Sequence, residues 1–285
     1  MPIQQITIVG TGLIGGSLGL ALKQSSFAGT IIGCDKRAVL EIAEARGAVD
    51  RAEADLERAV IGSEVVVLAT PVGCILSQME TLAALLPPMT LITDAGSTKQ
   101  KLVERSRELF GDQAQARFLP GHPMAGKEVG GIENADANLF RDAIWLITPI
   151  DPTRPPTPLQ SEYMDLLQAI GARVITMDSE RHDRLCAWIS HLPQMIATAL
   201  ASVLREELGD DEAVSQIGGR ALREMTRIAH SPYTMWRDIA LTNTQNIDDA
   251  LQRLEQQLAH LRENLRGPEL RVLFESANKF GGGRS

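Results

Sequence analysis

The sequence predicts an α/β fold: a doubly wound parallel sheet followed by an all-α C-terminal domain. Three observations carry this. The first half alternates short apolar runs with helical patterns, which implies a parallel sheet with helices on both faces. The apolar runs are continuous rather than alternating, as in strands buried on both sides. From Ser179 onward the pattern is almost wholly helical. The expected domains are 1–178 and 179–285.

The strand candidates, in order, are Ile6–Val9, Thr30–Gly33, Glu64–Leu68, Thr90–Thr93 and Ala143–Ile147, each often β-branched and followed by turn residues. Between them, Gly15–Gln24, Ala38–Arg46, Cys74–Leu86 and Lys99–Phe110 read as helices. Five prolines then fall within residues 149–158, which makes a surface loop or hinge. One more αβ unit follows, with a helix near Leu159–Ile170 and a strand Arg173–Met177. The second domain reads as helices Ser179–Leu208, Ala213–Ala229, Thr234–Leu241 and Thr244–Arg266, with a short one over Pro268–Lys279. The tail Gly281–Ser285 is expected to fray.

The 285 residues suffice for one large or two modest domains. With 28 Lys and Arg against 36 Asp and Glu, the net charge is −8, and aromatics are only 4%. There is neither a basic footprint nor a base-stacking surface for nucleic acid. Three widely spaced cysteines without a CxxC point to a reducing compartment, and five histidines are too few for a His-rich metal protein. No metal is expected. The apolar stretch Ile6–Leu22 is too glycine-rich for a signal peptide, and no uncharged run is expected to reach membrane-spanning length. A cytoplasmic protein is expected.

The chain opens on Gly10-Thr-Gly12-Leu13-Ile14-Gly15, a GxGxxG between a strand and a helix. Gly10 permits the tight turn, Gly12 admits a pyrophosphate, and Gly15 lets helix and strand pack closely. This makes the first domain Rossmann-like, with Leu13 and Ile14 at the cofactor. Asp35, about 20 positions on, suits a ribose 2′-hydroxyl and repels a 2′-phosphate, so NAD is favoured. Lys36 and Arg37 could instead receive the 2′-phosphate of NADP. Ligands in such sheets sit at the carboxyl ends of the strands. Thr70 and Pro71 there would line the cofactor site. Ser97 would be a helix N-cap, a catalytic hydroxyl, or both. His122, between Gly121 and Pro123 in an expected loop, is suited to polarise a substrate hydroxyl during hydride loss.

With these pieces the chain resembles the prephenate/arogenate dehydrogenase family of tyrosine biosynthesis. The matching segments are Gly10–Ser17, Thr93–Lys99, Gly121–Gly126, His182-Asp183, Ile189–Pro193, Thr226–Ala229 and Met235–Asp238. They occur in family order across nearly the whole chain. The resemblance implies oxidative decarboxylation of a cyclohexadienol, with hydride passing to NAD(P)+. It implies that His122 accepts a hydrogen bond from the ring hydroxyl and that Ser97 orients both. Glu128, Arg227 and Trp236 would meet the substrate, Arg227 through a carboxylate, with His191 supporting from the helical domain. Two positions depart from the family pattern. Gln194 stands where many prephenate-using relatives carry His, and its neutral carbonyl acceptor beside a donor would tolerate or prefer the arogenate ammonium over the prephenate ketone. Glu224 stands where some relatives carry Asp. The long helices Ser179–Leu208 and Thr244–Arg266 would form a homodimer interface or pack internally.

Two other readings exist. A β-hydroxyacid dehydrogenase would need a lysine in the helical domain, where only Lys279 occurs. A catalytically inactive nucleotide-binding regulator would not need the Ser97, His122 and Arg227 set. From the length, neither a fused mutase domain nor a C-terminal regulatory domain of about 70 residues is expected.

Overall fold

The computed structural model describes residues 2–127, 129–209 and 211–280. Its first domain is built on a parallel six-stranded sheet in the order β3-β2-β1-β4-β5-β6. The strands are β1 (Gln5–Val9), β2 (Thr30–Cys34), β3 (Arg51–Ala52), β4 (Val65–Leu68), β5 (Leu91–Asp94) and β6 (Phe118–Leu119). The helices between them are α1 (Leu13–Gln24), α2 (Arg37–Ala45), α3 (Leu56–Ala59), α4 (Val72–Leu85), α5 (Gln100–Phe110) and α6 (Ala114–Arg117). Ile6, Ile8, Val65 and Val67 join one apolar core, and Val9, Val66 and Leu68 join the other. The central strands are thus covered on both faces, which is why their sequences run apolar without alternation.

Ala143–Ile147 and Arg173–Met177 do not extend this sheet. Strands β7 (Gly121–Pro123), β8 (Ile144–Ile147) and β9 (Arg173–Thr176) form a second, three-stranded sheet, with β7 antiparallel to β8. His122 therefore lies in a strand, opposite Leu146, and not in a loop. The proline cluster ends at α7 (Pro158–Ala169), which carries a Thr157/Gln160 capping box.

The second domain holds α8 (Ser179–Cys186), α9 (Leu192–Leu208), α10 (Glu212–Ile217), α11 (Arg220–Arg227), α12 (Tyr233–Thr242), α13 (Thr244–Glu263) and α14 (Glu269–Lys279). A π turn, Ala187–His191, joins α8 to α9 just before Pro193. The widened turn meets a proline that brings no N–H to the helix. The expected helix Ala213–Ala229 is instead broken at Gly218-Gly219, between α10 and α11. Glycine favours neither helix interior nor continuity. Residues 281–285 lie outside the described residues.

The helix Ser179–Leu208 corrects another expectation. Residues 185–204 contain no Asp, Glu, Lys or Arg, and by length and composition this helix could cross a membrane. Just before that stretch, Asp183 docks the helix against the first domain. Asp183 on α8 accepts hydrogen bonds from Lys99 N (2.8 Å) and Gln100 N (2.9 Å), satisfying the start of α5. Asp238 on α12 does the same for Gly73 N (3.0 Å) in α4. Both carboxylates sit at helix N-termini, where orphan amides and the dipole favour negative charge.

Candidate active site

The glycine turn joins β1 to α1. Gly10 has φ +92°, and a Cβ there would lie 2.8 Å from the Ala69 carbonyl carbon. A side chain is therefore excluded by both conformation and space. A Cβ on Gly15 would lie 2.0 Å from Gly10 O, whereas one on Gly12 would meet nothing within 4 Å. Gly12 thus opens onto free space at the start of α1, which has no side-chain cap and no acidic residue in its first turn. These features fit a bound pyrophosphate. Asp35 ends up beside the turn, its Oδ2 accepting from Thr11 N at 2.8 Å. Lys36 and Arg37 are exposed.

A cleft of about 430 Å³ opens at this point, between the carboxyl ends of β1 and β4. Leu13, Ile14, Thr70, Pro71 and Ser97 line one side. Ser231, Pro232, Thr234, Met235 and Ile239 of the helical domain line the other. This is the crevice where the strand order reverses, the usual ligand position in such sheets.

Ser97 is not an N-cap. Lys99 holds that position in α5 without a side-chain bond, and Asp183 from the other domain caps the helix. The loop Asp94–Lys99 instead fixes the strand that carries His122. Lys99, fully buried, pairs through Nζ with Asp94 Oδ2 and donates to Gly121 O at 2.6 Å. Asp94 Oδ1 accepts from Gly121 N at 3.2 Å, and Gly96 N donates to Asp94 Oδ2 at 2.8 Å. A buried ion pair thus clamps the residue just before His122.

His122 is buried, with Nδ1 2.9 Å from His182 Nε2. His182 Nδ1 is in turn 2.8 Å from Asp183 Oδ1. Burial, His182, Lys99 and His191 together hold His122 well below the ordinary histidine range, so it is neutral at pH 7. Burial likewise pushes the neighbouring Cys186 thiol up to about 12. His122, His182 and Cys186 bring three potential metal-ligating atoms within 4.8 Å of one another.

His191, from the π turn, is almost fully buried and lies on the Trp236 ring in a T-shaped contact at 5.9 Å. Its Nδ1 faces Asn243 Nδ2 at 3.2 Å, which leaves the proton on Nε2. That Nε2 and Trp236 Nε1 are both buried without a hydrogen-bond partner. Two adjacent N–H donors of this kind suit an oxygen acceptor on a ligand. Gln194 is buried on α9, donating from Nε2 to Thr198 Oγ1 at 3.3 Å. Arg227 ends α11 on an exposed surface, one 3₁₀ turn before Ser231 and Pro232 of the cleft. Glu224 pairs with Arg220 at 2.6 Å on the same helix. Glu128 lies outside the described residues.

The residue reading assigned no role to Lys99, His182, Asp183 or Asn243. Lys99 stands in the matching segment Thr93–Lys99 and His182-Asp183 is another, and the structure makes that pair a link between His122 and the start of α5.

Comparison with known proteins agrees with this geometry. Residues 18–176 match the model of the prephenate dehydrogenase nucleotide-binding domain, and residues 178–277 match that of the prephenate dehydrogenase dimerization domain. A prephenate dehydrogenase of Lactococcus lactis subsp. cremoris is 32% identical over 92% of this chain and 70% of its own. The structure of prephenate dehydrogenase from Aquifex aeolicus, in complex with hydroxyphenyl propionate and NAD+, superposes with a TM-score of 0.87. It is 30% identical and covers 100% of this chain and 98% of that one. Synechocystis arogenate dehydrogenase superposes with a TM-score of 0.78 at 29% identity, covering 99% and 100% of the two chains. With both halves of the chain matched in order, this protein belongs to the prephenate dehydrogenase family.

Proposed function

We propose that this chain oxidatively decarboxylates a cyclohexadienol, prephenate or arogenate, using NAD+. The observation that carries this is a neutral histidine, His122, held by buried side chains on a strand that the Asp94–Lys99 loop clamps at Gly121, the same loop that brings Ser97 to the glycine-turn cleft. The open Cβ position of Gly12, the uncapped start of α1 and Asp35 beside the turn fit NAD. Bound there, NAD+ would supply the acceptor for the hydride on the ring carbon that bears the hydroxyl.

The chain's own residues do the rest. His122 Nε2 holds the hydroxyl proton as the C–O bond becomes a carbonyl. The carboxylate at the opposite ring carbon leaves as CO₂, and its bonding electron pair completes the aromatic ring. Ser97, in the cleft, orients the hydroxyl. His191 and Trp236 offer their two N–H groups to substrate oxygens, and Arg227 meets a substrate carboxylate by forked pairing. Holding the ring against the nicotinamide within near-attack distance is the main rate contribution asked of this cleft.

Arogenate is the second reading, favoured by Gln194. One of its two amide N–H groups is used on Thr198, while its carbonyl oxygen accepts no hydrogen bond among the described residues. A neutral acceptor suits an ammonium better than a ketone. Lys36 and Arg37 keep NADP in the comparison. The deciding experiment follows absorbance at 340 nm with prephenate or arogenate, each with NAD+ and NADP+. Turnover is expected with NAD+; absence of turnover in all four combinations overturns the reading.

The family boundary between residues 176 and 178 supports a cofactor domain 1–178 and a helical domain 179–285. We read the active form as a homodimer through the helical domain. Only 28% of the most apolar window in Ser179–Leu208 is buried within one chain, and Ile189, Val203, Leu258 and Phe274 are all exposed. A second copy covering these faces explains them without a membrane. Three unpaired cysteines fit a cytoplasmic setting.

A further inference from the structure

We propose that His182 and Asp183 are positioning residues that lock His122 in the Nδ1–H tautomer, leaving the Nε2 lone pair for the substrate hydroxyl. The inference deepens the dehydrogenase reading and rests on it for its rate predictions, though its central claim concerns a tautomer and needs no turnover.

Asp183 Oδ1 accepts from Lys99 N at 2.8 Å, and Oδ2 accepts from Gln100 N at 2.9 Å. Both oxygens are used as acceptors at the N-terminus of an eleven-residue helix, as befits a carboxylate. The contact from His182 Nδ1 to Asp183 Oδ1, at 2.8 Å, must then be donated by the imidazole. With its proton on Nδ1, neutral His182 presents Nε2 as a lone pair. The Cys186 thiol lies farther from that Nε2, at 3.6 Å, and leaves the lone pair to the closer His122. The 2.9 Å contact between His122 Nδ1 and His182 Nε2 is therefore donated by His122. One proton per neutral imidazole leaves His122 Nε2 bare, and it takes no hydrogen bond among the described residues.

A metal held by His122, His182 and Cys186 would be the competing use of this cluster. Nitrogen ligands of a tetrahedral zinc site lie about 3.3 Å apart, whereas these two stand at 2.9 Å, a hydrogen-bond length. The buried Lys99 ammonium near His122 also opposes an added cation there. Asp183 has a second function, because its carbonyl oxygen accepts from Asn243 Nδ2 at 2.8 Å and Asn243 also meets His191 Nδ1. The same aspartate thus orders the histidines on both sides of it.

The test begins on the unmodified protein. In ¹⁵N-histidine spectra near neutral pH, the His122 signals, identified by their loss in His122→Asn, should show a protonated Nδ1 and a pyridine-type Nε2. His182 should show the same tautomer. A His122 with its proton on Nε2 overturns the proposal whether or not the protein turns over substrate. For catalysis, His182→Leu removes the acceptor and should lower kcat about 10²-fold with KM nearly unchanged. His182→Gln can still accept from His122 and donate to Asp183, and should recover most of that loss. Equal losses in the two variants, or losses confined to KM or Tm, would show a packing role only and overturn the proposal.

Discussion

Replacing Lys99 by methionine probes the clamp behind His122. The ammonium is fully buried, pairs with Asp94 Oδ2 and donates to Gly121 O. Methionine keeps most of the volume and removes the charge, which strands Asp94. Breaking a buried pair from one side costs about 3–5 kcal/mol. Asp94 keeps the N–H groups of Gly96 and Gly121, which argues for the low end, about 3 kcal/mol. With a urea dependence of about 3 kcal/mol/M, the midpoint should fall by about 1 M. Burial pushes the Asp94 carboxyl up, and without Lys99 no cation opposes this. The stranded group should therefore take up a proton readily, and the penalty should shrink as pH falls from 7 to 5. The double variant Lys99→Met/Asp94→Asn should recover part of the loss, because no net buried charge remains. A Lys99→Met protein within about 1 kcal/mol of the parent by urea unfolding, or a double variant equal to the sum of its singles, would refute the clamp.

The other perturbations act on separate parts of the site. Burial holds His191 at about 4, against an ordinary 6.5, so the unfolded chain takes up a proton across that window and the folded one does not. Stability should fall as pH drops from 6.5 to 4, by about 3 kcal/mol from this group, and His191→Asn should flatten that fall in unfolding titrations. Gly12→Ala, with free space at its Cβ, should keep the parent Tm yet bind NADH at least about tenfold more weakly by fluorescence titration. Gly15→Ala, whose Cβ would meet Gly10 O, should lose both, and the reverse ordering would contradict the glycine assignments. Asp35→Ser should raise the NADP+ to NAD+ ratio of kcat/KM about tenfold or more, since it removes the repulsion toward a 2′-phosphate; an unchanged ratio would shift that role to Lys36 and Arg37.

The parallel sheet was legible because its central strands are buried on both faces and write that burial as apolar runs. The glycine turn was legible because Gly10 and Gly15 answer local demands of backbone and packing. Strands of two or three residues, such as Arg51–Ala52 and Gly121–Pro123, are too short to carry a period, so His122 read as a loop residue. Its partners were hidden for a different reason. The contact from His122 to His182 spans 60 residues, and the bonds from Lys99 and Gln100 to Asp183 span 84 and 83. Nothing local in the chain announces that a helix start will be capped from another domain. The break at Gly218-Gly219 was within reach, because paired glycines stand in the sequence where the helix ends.

In the proposed reaction His122 holds the hydroxyl proton during hydride loss. The most direct test of this role is the steady-state rate of His122→Asn at 340 nm under the substrate and cofactor pair that the parent uses best. The expected result is a fall in kcat of about 10³-fold with substrate KM changed by no more than a few-fold. A variant that keeps the parent kcat would contradict it.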